Sequence, residues 1–183
     1  NFLVFLPDSW GDATKFERYA WEMSQDGFFA VFGQFPFAKS SYFISWILAF
    51  FYSLTDRSVI MGQSLSLLFG MGSVLLGSRI ASILWGEKVA QKVGWILALY
   101  PTLVLYSSLI LREAYVWFFL LVAIYGIVCW SKYPGFKTIL IIFIGFSGAT
   151  FFHGGMFVGG FIFLGILVLT SLSETVKRLN YLK

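Results

Sequence analysis

The sequence predicts an all-α fold: a polytopic transmembrane helical bundle with an amphipathic surface helix in its first outer loop. Three observations carry that expectation. The 183 residues are 58% hydrophobic and only 12% charged, against about 25% charged residues in a soluble domain. Mean hydropathy is +0.81. The apolar runs approach the ~20 residues of a spanning helix and lack the strict alternation of a barrel strand. Backbone polar groups must be satisfied within the bilayer, so helices are the remaining choice. The chain holds 22 Phe, 9 Tyr and 7 Trp. The single cysteine, Cys129, offers no disulfide framework. The net charge of +4 is spread over loops and is no nucleic-acid signal.

The elements follow in order. Residues 1–6 read as the end of a truncated helix, and the sequence as a fragment of a larger protein. Residues 7–57 read as an outer loop. Within it Asp12 is a good N-cap, Phe16, Tyr19, Ala20 and Met23 recur at helical spacing, and Gly27 is a stop signal. That predicts a surface helix of about 14 residues, aromatic face down. Tyr42–Leu54 is apolar but short of the ~17–25 residues a span needs. It is expected to be re-entrant or to lie on the surface, with a crossing as the alternative. Residues 58–172 are expected to supply about five spans. Ser58 to Trp85 is the first, with Gly62, Gly70, Gly72 and Gly77 as close-packing surfaces. Gly86 to Lys92 reads as a polar turn. Val93 to about Ser108 and Glu113 to Trp130 follow, and Pro134-Gly135 marks a turn. Thr138 to Leu172 would be ~52 Å as one helix, so it must break, most naturally at His153-Gly154-Gly155. Residues 173–183 are a basic tail.

With Tyr42–Leu54 not crossing, one side receives Arg79, Lys88, Lys92, Lys132, Lys137, Lys177, Arg178 and Lys183 against Glu87 and Glu174. The other receives Lys15, Arg18, Lys39, Arg57 and Arg112 against seven acids. That is a positive-inside pattern, and it makes the second side the outer one. Asp12, Arg112, Glu113 and His153 then share the outer face. The multi-pass protein is placed in a membrane, with a bacterial inner membrane as the expected compartment and the lipid bilayer as its first partner.

Arg112 and Glu113 stand side by side between two apolar runs, and a mid-helix charge costs roughly 2.5–3.5 kcal/mol on insertion scales. The plain account is a hairpin tip that reaches water. The sharper one is a site where Glu113 holds a cation or proton and Arg112 a phosphate. Taken singly, Asp12 is explained as a helix cap and His153 as a turn residue. Gly154, Gly155, Gly159 and Gly160 are explained by helix contact, and Trp85, Trp95, Trp117 and Trp130 by an interfacial belt. Together, two acids, an arginine and a histidine on one face make a coherent site. A carboxylate pair can hold a divalent cation that neutralises a leaving phosphate, or one acid can act as general base on an acceptor hydroxyl.

The chain carries a family likeness. Gly11-Asp12-Ala13 with Phe16 and Tyr19-Ala20 resembles the first outer loop of GT-C-type membrane glycosyltransferases, the polyprenyl-phosphate-sugar-dependent enzymes that include protein mannosyltransferases. Ser78-Arg79 through Trp85-Gly86 and Lys88 resembles their basic turn. Leu99 to Ser108, followed by Arg112-Glu113, resembles their next outer helix end. The likeness covers about residues 11–150. It implies Asp12 as catalytic acid or base, Glu113 as second acid, and Asp12 with Glu113 as ligands of a divalent cation (Mg or Mn). It implies a polyprenyl-phosphate-linked sugar as partner, and the residues themselves then offer Arg112, His153 and Tyr19 as substrate-binding candidates. Many relatives carry Asp at the position of Glu113, and the family's later helices and large soluble domain have no counterpart here. Leu111-Arg112-Glu113 with Phe152-His153-Gly154 also resembles O-antigen or exopolysaccharide polymerases, which implies metal-independent work by Arg112 and His153. A third expectation is a structural subunit that packs against other subunits of a membrane complex. A transporter is disfavoured, because no span carries a mid-helix acid or an inverted repeat.

Overall fold

Glycine, proline and one serine cap set the boundaries of the helices, and the computed structural model describes residues 9–36 and 42–166. The expected helix end at 1–6, the basic tail and Lys39 lie outside the described residues. The described residues form helices without strands, so the all-α expectation holds. The helices are α1 (Ser9–Ser24), α2 (Phe28–Gly33), α3 (Phe43–Leu54), α4 (Val59–Trp85), α5 (Glu87–Ala98), α6 (Pro101–Ser107), α7 (Arg112–Lys132), α8 (Phe136–Phe152) and α9 (Met156–Ile166).

Two boundaries fall where the residues demand. Ser58 caps α4 by accepting the Met61 N–H at 3.3 Å. The long apolar run breaks at His153-Gly154-Gly155, between α8 and α9. Three boundaries differ from expectation. Asp12 is not a cap: α1 begins at Ser9 and Asp12 sits in its first turn, where a carboxylate favours the helix dipole. Gly86 alone, at φ 87°, turns the chain, and Glu87 to Lys92 are helical. Val93 to Ser108 is not one helix. Pro101 lacks the N–H a continuing helix needs, so α5 stops and α6 starts with Pro101 at its first position, bent by 59°.

α4 and α7 are each long and apolar enough to cross a membrane, and the bent α5–α6 pair makes a third such unit. The five expected spans are thus two or three by length among the described residues; α8 has 17 residues. Small residues set the helix spacing. Gly145 lies against the Ala123 backbone, Gly126 against Ile142 and Gly148 against the Phe119 ring, which makes α7 and α8 antiparallel. Gly72 faces the Phe118 ring, and Lys132 donates to the Ile83 carbonyl at 2.5 Å, so α4 and α7 run parallel. Gly77 faces Leu97, Gly70 faces Ser107, and Ser78 donates to the Ala90 carbonyl at 3.0 Å, so α5–α6 returns along α4.

One end of the bundle therefore gathers the start of α4, the α6–α7 link, the start of α7 and the end of α8. α1 and α3 cover that end. A single apolar cluster unites Ala13, Phe16 and Ala20 of α1 with Ile44, Leu48 and Tyr52 of α3, Ile110 and Leu111 of the link, Ala114 and Tyr115 of α7, and Phe152 of α8. Both ends of α3 stay there: the Phe43 ring lies 5.0 Å from that of Phe152, and the Tyr52 hydroxyl lies 3.1 Å from the Ser58 carbonyl.

Candidate functional site

On α1 the buried positions are Ala13, Phe16, Glu17, Ala20 and Ser24. This is a helical stripe with one acid in it. The expected aromatic face is rotated: Tyr19 is 38% exposed, its ring edge-on to Tyr42 at 4.8 Å. A carboxylate on a buried stripe needs a partner, and Arg57 supplies it from the α3–α4 corner. Arg57 Nε donates to Glu17 Oε1 at 2.9 Å and Nη2 donates to Oε2 at 2.7 Å. The Tyr52 hydroxyl lies 3.2 Å from Oε1, and the guanidinium sits 5.7 Å from the Trp21 ring. The hydrogen-bonded arginine holds the Glu17 carboxyl below its ordinary range, against the opposing effect of burial. Burial, and then the Glu17 charge, push the Tyr52 phenol up.

Arg112 and Glu113 are the first two residues of α7, after Leu111, whose side chain offers no cap. Arg112 Nε stands 3.5 Å from Glu113 Oε1, with the two side chains 25% and 38% exposed. Glu113 Oε2 is buried with no hydrogen-bond partner. Such an orphan oxygen costs about 1–3 kcal/mol, and more when charged. Two residues further along α7 the packing is dense. Tyr115 is fully buried, pairs with the Ser66 hydroxyl at 3.2 Å and stacks on Phe152 at 4.8 Å. His153 follows Phe152 directly. Its N–H donates to the Ala149 carbonyl at 2.9 Å and its carbonyl accepts from Met156 N–H at 2.9 Å, leaving the side chain exposed.

Asp12, Arg112, Glu113, His153 and Tyr19 thus all belong to elements that meet at one end of the bundle. The structure joins Arg112 to Glu113. It does not join Asp12 to Glu113: Asp12 is exposed and pairs with Lys15 at 3.6 Å. Among the described residues no three His, Cys, Asp or Glu side chains form a metal-binding group. The donor set thus fits a Mg²⁺-type ion only in the sparse mode, where one or two carboxylates share it with substrate phosphates and water. Glu113, through its orphan oxygen, is the residue that would hold it.

The clamp of Glu17, Arg57 and Tyr52 was the residue set that sequence reasoning missed. Its signal was present: Glu17 falls four residues after Ala13 and three before Ala20, inside the small-apolar stripe.

No protein-family model, no curated protein and no solved structure matches this chain. Fold and site together define an all-α helical bundle with membrane-length helices and one charged, partly buried end.

Proposed function

We propose that the chain is a membrane glycosyltransferase that transfers a sugar from a polyprenyl-phosphate-linked donor. In this reading it is a multi-pass protein of a bacterial inner membrane, with the α1 end on the outer side. The observation that carries it is the Glu113 carboxylate: one oxygen beside Arg112, the other buried and unpartnered, at the end where α1 and His153 also lie. Each residue then has a task. The Arg112 guanidinium binds the donor phosphate, the geometry for which arginine is suited. Glu113 accepts the acceptor's proton or holds a divalent cation, which would neutralise the leaving phosphate. Asp12, on the rim, is the second acid, and His153 and Tyr19 contact substrate. Tyr115 and Ser66 fix the start of α7, so that the charged pair is held rather than free to reorient.

The test is labelling of the reconstituted protein by a photo-reactive polyprenyl phosphate, with plain polyprenyl phosphate as competitor. Competed labelling that falls in Arg112→Gln supports the reading. Labelling equal in wild type and variant, or indifferent to competitor, overturns it and leaves the structural-subunit reading.

A second reading, glycan joining by Arg112 and His153 as in O-antigen polymerases, is favoured by one observation: His153 is exposed while Asp12 is engaged with Lys15. Chelation separates the two. Transfer that survives EDTA and fails in His153→Ala supports the second.

A further inference from the structure

We propose that α2 and α3 form a re-entrant segment immersed in the acyl-chain layer of the leaflet at the α1 end. They would enter and leave the bilayer on one side. This inference rests on the membrane reading alone and not on the transfer chemistry. Four observations carry it.

First, α3 is no pass through the bundle. Its start packs on the end of α8, where Phe43 stacks on Phe151 at 5.1 Å. Its end bonds the cap of α4 through Tyr52 and Ser58. Twelve residues rise only ~18 Å.

Second, the two helices expose large apolar side chains with no charge among them. Phe29 is 87% exposed, Phe32 54%, Phe51 41% and Leu54 66%. In sequence the nearest charges flank the helices: Asp26 just before α2, Lys39 between α2 and α3, and Asp56 and Arg57 just after α3. In water such a surface would be costly, at about 25 cal/mol for each Å².

Third, that surface continues onto a membrane-length helix. Leu48 and Phe51 of α3 line a crevice of about 260 Å³ with Met61, Ser64, Leu65 and Leu68 of α4. Leu68 is 63% exposed, and Ile60, at the start of α4, 75%. The apolar band of α4 and the exposed stripe of α3 are one surface, so the solvent of one is the solvent of the other.

Fourth, apart from the Ser45 hydroxyl, which is buried without a hydrogen-bond partner, the side-chain donors of these helices find acceptors within the segment or, for Tyr52, at the Ser58 carbonyl. Trp46 Nε1 donates to the Val31 carbonyl at 2.8 Å. Ser53 Oγ donates to the Phe50 carbonyl at 2.8 Å, and Thr55 Oγ1 to the Phe51 carbonyl at 2.8 Å. The indole and hydroxyl donors are thereby satisfied without water, as a bilayer requires of polar groups at depth. An aromatic ladder of Phe28, Phe32, Phe50 and Trp46 locks α2 onto α3, with ring centroids 4.5–5.6 Å apart. The pair would therefore enter as a unit.

The experiment places nitroxide labels on single cysteines in the full chain, in a Cys129→Ala background reconstituted in phosphatidylcholine–phosphatidylglycerol vesicles. The sites are Phe29→Cys, Phe51→Cys and Leu54→Cys, with Glu22→Cys as the water reference and Leu68→Cys as the bilayer reference. Collision with oxygen, which partitions into lipid, is compared with collision with a water-soluble nickel complex. The expected result is that the three labels behave as at Leu68, with oxygen collisions dominating. Labels that behave as at Glu22 overturn the proposal. So do labels shielded from both reagents, because another protein surface then covers the segment. Phe29 is 87% exposed, so its variant decides the question even if changes at Phe51 disturb folding.

Discussion

At the residue scale two carboxylates face opposite physical situations, and their variants should separate accordingly. Glu17 is fully partnered. Because its folded pKa is lowered, its contribution to stability is present above the ordinary glutamate value of 4.5 and is lost as pH falls through the lower folded value. Acid should therefore loosen α1 first, seen as increased amide exchange in residues 11–24 before the bundle melts. Glu17→Gln should remove the same contribution at neutral pH. We expect a loss of roughly 1–2 kcal/mol, below the figure for a fully buried pair because Arg57 is half exposed and can turn to water; thermal unfolding measures it. Glu113 is the reverse case, since its Oε2 lacks a partner. Glu113→Gln should leave the melting midpoint unchanged or raised, while transfer activity falls by on the order of 10²-fold or more. A Glu113→Gln protein that is both unstable and active would sink the proposed role. Arg112 and Glu113 were legible in the sequence because adjacent charges between apolar runs demand a reason. Glu17 was not. With Asp12 read as the cap, the stripe was drawn through Phe16, Tyr19, Ala20 and Met23, of which Phe16 and Ala20 are buried. The tertiary partner Arg57, 40 residues away, is what turns the helix.

Among the helices, glycine decides which pairs come close. A Cβ on Gly145 would strike the Ala123 backbone, which cannot move without parting α7 from α8. Gly145→Leu should cost about 1–3 kcal/mol or more as overpacking, whereas Gly135→Ala, which meets nothing nearby, should not. Denaturation in detergent compares the two. The same scale shows what sequence pattern delivers. The helix start at Ser58 and the break at His153-Gly154-Gly155 are local chemistry and stand where they were read, while the turn read over Gly86 to Lys92 narrows to Gly86. Pro101 is also local chemistry. Yet the hydropathy of Val93 to Ser108 masked it, because burial in lipid or protein rewards an apolar run whether it is straight or bent.

For the whole molecule, the helix order puts Asp12, Glu22 and His153 at one end, and Lys88 and Lys137 at the other. Single cysteines at these sites in sealed vesicles should fall into two groups toward a membrane-impermeant maleimide: Glu22 and His153 together, Lys88 and Lys137 together. Any exchange between the groups would break the proposed topology. The sequence by itself determined the helical class and the two long apolar helices, α4 and α7. These depend on composition and on spacing along the chain, and both are fully present in one dimension. Only the tertiary structure decided that α1 is held by Glu17 and Arg57, that α3 starts and ends on one side, and that Glu113 keeps an oxygen buried and unpaired. Those are contacts between residues far apart in sequence. Their free energy depends on which surfaces exclude water together, and no local pattern specifies that.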